Sequence, residues 1–172
     1  MNVCKKAILG MALACTLWIP GFANGLDEVD QVTQDFYVAY TLYTGMRVAD
    51  AEATFDSLPD WKKKVEIEYG CGPATFVTYT RVLQDKTKQE VNFCRRDDGE
   101  LIRFDINFYT KNKQNAREMY EIALKNLKEK YGEPAGATER AAMFKDSYKR
   151  YVNIDLNIEK GCIRITRAQP YL

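Results

Sequence analysis

The chain has 172 residues, 46% hydrophobic and 28% charged, with 25 basic and 24 acidic side chains. That composition excludes a disordered chain, the length suffices for one domain with a core, and the charge balance gives no basic excess pointing to nucleic acid or an anionic membrane. Histidine is absent, which removes the commonest general base, the Ser-His and Cys-His nucleophile pairs and imidazole metal ligands.

In chain order, Lys5 and Lys6 precede an apolar run from Ala7 to Ile19, broken by Pro20 and Gly21. Gly21-Phe22-Ala23 and Ala23-Asn24-Gly25 both suit a signal peptidase, so cleavage is expected after Ala23 or Gly25. The run is shorter than the ~20 residues a membrane span needs, and an uncleaved anchor is the alternative. Ala12-Leu13-Ala14 before Cys15 lacks the large aliphatic residue that a lipid-attachment site has three places before its cysteine. Residues 1–23 are therefore read as a signal peptide and 24–172 as a single domain. Processing leaves 23 basic against 24 acidic residues, and no later segment is apolar and long enough to span a bilayer.

From Leu26 to Tyr43, the stripe Val29, Val32, Phe36, Tyr40 and Tyr43 predicts a helix. Val48 to Leu58 predicts a second, with Val48, Ala51, Phe55 and Leu58 on one face and Pro59 ending it. Four strands follow. In Lys63–Tyr69, Val65, Ile67 and Tyr69 alternate with Lys64, Glu66 and Glu68. Ala74–Leu83 is rich in Thr, Val, Phe and Tyr, and Glu90–Arg95 leads into the hairpin signal Arg96-Asp97-Asp98-Gly99. Leu101–Tyr109 then sets Ile102, Phe104, Ile106 and Phe108 against Arg103, Asp105, Asn107 and Tyr109.

The long helix carries Ala116, Met119, Tyr120, Ala123, Leu124 and Leu127 on one stripe. Asn112 or Asn115 can cap it, with Glu118 completing a capping box on Asn115, and Gly132 before Pro134 stops it. Pro134–Thr138 reads as a loop and Ala141–Lys145 as a short strand. Arg150–Glu159 sets Val152, Ile154, Leu156 and Ile158 against Tyr151, Asn153, Asp155 and Asn157, and Cys162–Arg167 closes the chain. Short turns between strands imply antiparallel pairing. Helices gathered on one face imply an α+β fold, with helix–strand units at 44–110 and 111–172.

The helices would then leave Arg103, Asp105, Asn107, Tyr109, Tyr151, Asn153, Asp155, Asn157 and Arg164 on an open face. Tyrosine and arginine amid small polar groups suit protein recognition, although any one-sided sheet has a polar face without needing a ligand. Asn153-Ile154-Asp155-Leu156-Asn157 lacks the glycine turn and distant acid of a calcium loop. Glu66 and Glu68 have no visible partner that would orient them for acid–base chemistry. After processing, Cys71, Cys94 and Cys162 remain. Export permits one disulfide in any of three pairings, all three reduced is the alternative, and none has metal-site spacing.

Thr44-Gly45-Met46-Arg47-Val48-Ala49-Asp50-Ala51, closing at Leu58-Pro59 before a run of strands, resembles the SmpA/OmlA (BamE-like) envelope proteins over about residues 44–110. The β-lactamase-inhibitor-protein fold has the same helix–strands plan in tandem copies. The resemblance implies a non-enzymatic domain that binds another protein through its sheet face and loops, with no catalytic residue carried over. The expectation is an exported module of the periplasm, envelope or exterior. Its partner would be another envelope or extracellular protein, with no nucleic acid, cofactor or metal. The alternatives are a small secreted enzyme using carboxylate or tyrosine chemistry in a helix–sheet cleft, and a purely structural domain.

Overall fold

The computed structural model describes residues 24–35, 39–69, 73–95 and 99–169, with backbone alone at 66–69, 73–75 and 95. The expected signal segment, Phe36, Cys71 and the hairpin tip Arg96-Asp97-Asp98 lie outside the described residues. The elements in chain order begin with helices α1 (Gly25–Gln34) and α2 (Val48–Asp56). Strands β1 (Lys62–Tyr69), β2 (Pro73–Val82), β3 (Lys88–Arg95) and β4 (Leu101–Tyr109) follow. Helix α3 (Lys113–Tyr131) leads into β5 (Gly136–Thr138), β6 (Ala141–Lys145), β7 (Tyr151–Asn157) and β8 (Cys162–Ala168).

The strands form one antiparallel sheet in the order β1-β2-β3-β4-β8-β7-β6-β5. Two up-and-down meanders, each preceded by a helix, thus lie side by side. They join where β4 pairs with β8, from Arg103 opposite Ala168 to Tyr109 opposite Cys162. The helices cover one face. Helix α3 rests on β6, β7 and β8, and α1 packs on α3.

Helix α2 is held by one side chain above all. Phe55 is fully buried, with ring centroids 5.0 Å from Tyr79, 5.5 Å from Phe93 and 4.8 Å from Trp61. Burying a phenylalanine is worth roughly 1.5–3 kcal/mol, and α2 has no side-chain cap bond at Arg47 to compare with it. Its entry is tied to the sheet by backbone. Gly45 N–H donates to Leu101 O at 2.8 Å, Leu101 N–H to Met46 O at 2.8 Å, and Val48 N–H to Gly99 O at 2.9 Å. Gly45 and Gly99 have φ of 97° and 85°, backbone that disfavours a side chain.

Several expectations are corrected. The first helix ends at Gln34, because Asp35 turns extended (φ −155°, ψ 105°). Val29 and Val32 are buried as expected, but Tyr43 is exposed. Helix α3 is capped by Asn112, whose Oδ1 accepts from Gln114 N–H at 2.9 Å. Asn115 Oδ1 accepts from Asn112 Nδ2 and Glu118 Oε1 from Gln114 Nε2, so Asn115 and Glu118 form no capping box. Leu124 is only partly buried. A buried residue the apolar stripe did not include is Asn126, whose Nδ2 donates to Asp30 Oδ1 at 2.8 Å and Thr33 Oγ1 at 2.9 Å on α1. Part of the expected loop at 134–138 is the edge strand β5, too short and too exposed to carry an apolar alternation. Val65 is 57% exposed on the edge strand β1, beyond the reach of the covering helices. Lysines on either side of it are a known guard against edge-to-edge pairing.

The β6–β7 hairpin is stapled by Asp146. Its Oδ1 accepts from Tyr148 and Arg150 N–H at 2.9 Å each, and its Oδ2 from Arg150 Nε at 2.6 Å and Arg167 Nη2 at 3.3 Å. Burial pushes this carboxyl up, but these bonds outweigh burial and hold it below the usual carboxylate range. A depressed native pKa means stability that is present above the unfolded value of about 3.9 and lost as pH falls through the native one. Asp146→Asn should therefore lower stability at pH 7 by roughly 1–3 kcal/mol, read by urea denaturation. The gap to wild type should narrow as pH falls from the unfolded carboxyl's value through the lower native one, where the wild-type carboxyl also takes up its proton.

Candidate functional site on the open sheet face

All nine side chains expected on the open face lie on it, because register carries each strand's alternation to its neighbours. One row across the sheet runs Lys62, Thr80, Glu90, Asn107, Arg164, Asp155, Ala141, Thr138. The next runs Lys64, Thr78, Asn92, Asp105, Thr166, Asn153, Met143, Gly136. A third contains Phe76, Cys94, Arg103, Ala168, Tyr151 and Lys145. A fourth contains Lys88, Tyr109, Cys162 and Asn157. Between β1 and β8 this surface encloses an open cavity of about 640 Å³, lined among others by Lys62, Phe76, Lys88, Tyr109 and Arg164. A second, of about 410 Å³, continues over β8 and β7 beside Arg140, Asp155 and Lys160.

The nine residues divide into braces and contacts. Asp105 and Asn107 are 9% and 2% exposed. Asp105 Oδ1 accepts from Arg103 Nε at 3.1 Å and Thr166 Oγ1 at 2.5 Å, and its Oδ2 lies 2.9 Å from Arg103 Nη2. Asn107 Oδ1 accepts from Arg164 Nε at 3.1 Å, which aims the exposed guanidinium along the surface. Arg103, Tyr109, Tyr151 and Asn153 are half-buried, while Asp155, Asn157 and Arg164 are exposed. Lys88 Nζ lies 5.6 Å over the Tyr109 ring and Lys145 Nζ 5.3 Å over Tyr151. Glu90, its neighbour on the same face, sits 2.5 Å from Lys88 Nζ. Burial first, then the Glu90 charge, raises the Tyr109 phenol above its ordinary value, so it stays protonated.

Sequence reasoning missed Lys62, Phe76, Lys88, Glu90, Arg140 and Lys160. The strand residues among them obey the same alternation, but only knowing which strand lies beside which puts them on this face.

Cys94 and Cys162 also face this side, as thiols. Cys94 stands opposite Arg103 and Cys162 opposite Tyr109. Six residues of β4 separate those positions, about 20 Å, whereas disulfide Cα atoms lie within about 7 Å. Of the three pairings, Cys94–Cys162 is excluded, and the two involving Cys71 lie outside the described residues.

Between helices and sheet, where a cleft with tyrosine and carboxylate was the alternative, the structure has a sealed polar cluster. Glu28 of α1 pairs with Arg81 of β2 and accepts from Tyr40 Oη. Arg81 Nε donates to Gln89 Oε1 at 2.7 Å, Gln89 Nε2 to Tyr40 Oη at 2.6 Å, and Arg81 stacks 4.7 Å over Trp61. All five residues are at most 9% exposed. Burial raises the Tyr40 phenol well above its ordinary value, and the Glu28 charge adds to this. The cluster's sequence signal was overlooked: Arg81 interrupts Val77-Tyr79 on the helix side of β2, and Gln89 precedes Val91-Phe93 on β3. Among the described residues no group of three or more His, Cys, Asp or Glu is placed to hold a metal.

Glu28→Ala should cost about 3–5 kcal/mol by stranding Arg81. Arg81→Met together with Glu28→Leu should cost less than Glu28→Ala alone, as read from denaturant midpoints. An additive double variant would show that the pair is not coupled. No protein-family model matches the chain, and neither curated proteins nor solved structures give a significant match.

Proposed function

We propose that this chain is an exported, non-enzymatic module that binds another envelope or extracellular protein on its open sheet face. The observation that carries the reading is the composition of that face. Tyr109, Tyr151 and Arg164, side chains of the kind that dominate protein interfaces, are presented half-buried or exposed on an eight-stranded sheet. Asp105 and Asn107 brace the arginines from below, so little side-chain entropy remains to be lost on binding. Two helix-led four-strand units joined in one sheet follow the plan that a tandem inhibitor-like module would have.

The contacts made by Asn24 and Gly25 bear on where an exported chain would be cut. Asn24 caps α1, its Oδ1 accepting from Asp27 N–H at 3.0 Å. Gly25 N–H donates to Asp85 Oδ2 at 2.9 Å, and a Cβ at Gly25 would collide with Met119 Cε and Thr87 Oγ1. Cleavage after Ala23 keeps this joint, whereas cleavage after Gly25 removes it. The mature chain should therefore begin at Asn24, as determined by intact mass after expression in a cell with a signal peptidase. An uncleaved chain, or one beginning at Leu26, counts against this.

Tyr109→Ala and Tyr151→Ala should each reduce capture of a partner from envelope extract by about tenfold while moving the melting temperature little. Lys125→Ala on the helix side should change neither. Capture that ignores the tyrosines sinks the reading.

A further inference from the structure

We infer that the occupant of the β1–β8 cavity is an extended segment of the partner protein bearing two separated acidic residues. One would sit at Lys62 and the other at Arg164. This inference rests on the protein-binding reading above and names the chemistry of its ligand.

The argument begins with charge. Five cations on or beside this face, Lys62, Arg140, Lys145, Lys160 and Arg164, have no carboxylate within 4.0 Å among the described residues. The acids of the cavity are already matched. Glu90 is held by Lys88, and Asp105 by Arg103 and Thr166. The cavity is left with a cation outside any ion pair at each end of its first row: Lys62 on β1 and Arg164 on β8. Arg164 is the built element, because Asn107, 2% exposed, takes its Nε and leaves the outer edge of the guanidinium free for a carboxylate. A planar guanidinium suits bidentate carboxylate recognition.

Spacing then decides among anions. Lys62 and Arg164 are four strands apart, about 19 Å along the sheet. Between them the row carries Thr80, Glu90 and Asn107. A polyanion with a charge on every repeat, such as a nucleic acid or a uronate polysaccharide, would lay negative charge over Glu90 and Asp105. A peptide laid across the strands can place acids at the two ends and neutral residues between, and about six extended residues cover the distance. Phe76, at the same cavity, offers an apolar contact to such a segment and none to a uniform polyanion.

Asp155 adds a check. It faces Arg164 across β7 and β8 and makes no ion pair with it within 4.0 Å, yet its charge opposes an incoming carboxylate.

The test is fluorescence anisotropy of the purified protein with a labelled peptide carrying two glutamates about six residues apart in a neutral spacer. Binding should weaken by about tenfold when both glutamates are glutamine, and again in about 0.5 M salt. Lys62→Gln and Arg164→Gln should each weaken it similarly, and Asp155→Asn should tighten it. Lys62 makes no side-chain bond within the described chain, so its variant reports on binding even if Arg164→Gln disturbs Asn107 and fails to fold. Equal affinity for the glutamine peptide overturns the inference. So does the absence of peptide binding, or tighter binding of a polygalacturonate oligomer or a single-stranded oligonucleotide that is lost in the same variants. Tyrosine-dependent capture of a partner together with failure of the acidic peptide would overturn this inference and leave the protein-binding reading standing.

Discussion

The antiparallel ladder between β4 and β8 is the constraint on which the rest depends. Each meander could form from its own turns, but neither has enough partners to bury both its apolar face and its edge. Pairing Ile106 with Ile165 and Phe108 with Ile163 removes two edges at once and makes one apolar floor for three helices. Because side chains alternate strictly along a strand, the same register places Arg103, Asp105, Asn107 and Tyr109 beside Ala168, Thr166, Arg164 and Cys162. A slip of one residue would turn Ile163 and Ile165 to the open face and undo the Arg164–Asn107 contact. Core and candidate site are thus two consequences of one register.

Helix α1 depends on this sheet through a less common device. Its apolar contribution is small, essentially Val29 and Val32. It reaches both halves instead through polar contacts: Glu28 to Arg81 on β2, and Asp30 and Thr33 to Asn126 on α3. A buried ion pair contributes little net stability, since desolvation offsets most of the attraction, but it punishes misplacement severely. That suits an element that must seat in one position above the junction of two units. The Tyr40 and Gln89 bonds complete most of the cluster, as low-dielectric surroundings demand.

Much of this was legible in the residues. Period-2 alternation in 101–109 and 151–157 assigned both faces correctly, since one-sided burial forces it. The period-3.6 stripe in 113–131 located the long helix for the same reason. Legibility failed where burial was not the organising force. β5 has no apolar pattern because it lies at an exposed edge. Asn115–Glu118 looked like a capping box, but those side chains found other partners once Asn112 took the cap. Arg81 and Gln89 break the apolar alternation at helix-facing positions, and nothing local to them announces that Glu28, far away in the chain, arrives to pair with Arg81.

By itself, then, the sequence determined the α+β class, the direction in which each strand's side chains point, and the nine residues of the open face. These follow from local periodicity, which a chain expresses without knowing its neighbours. Only the tertiary structure decided which strand lies beside which. That ordering put Lys62 and Arg164 at opposite ends of one row, turned Asp105 and Asn107 from contacts into braces, and separated Cys94 from Cys162 by the length of β4. The physical reason is that hydrogen-bonded neighbours in a sheet are chosen by long-range burial. A residue's charge acquires a role only when its distance to the other charges is known.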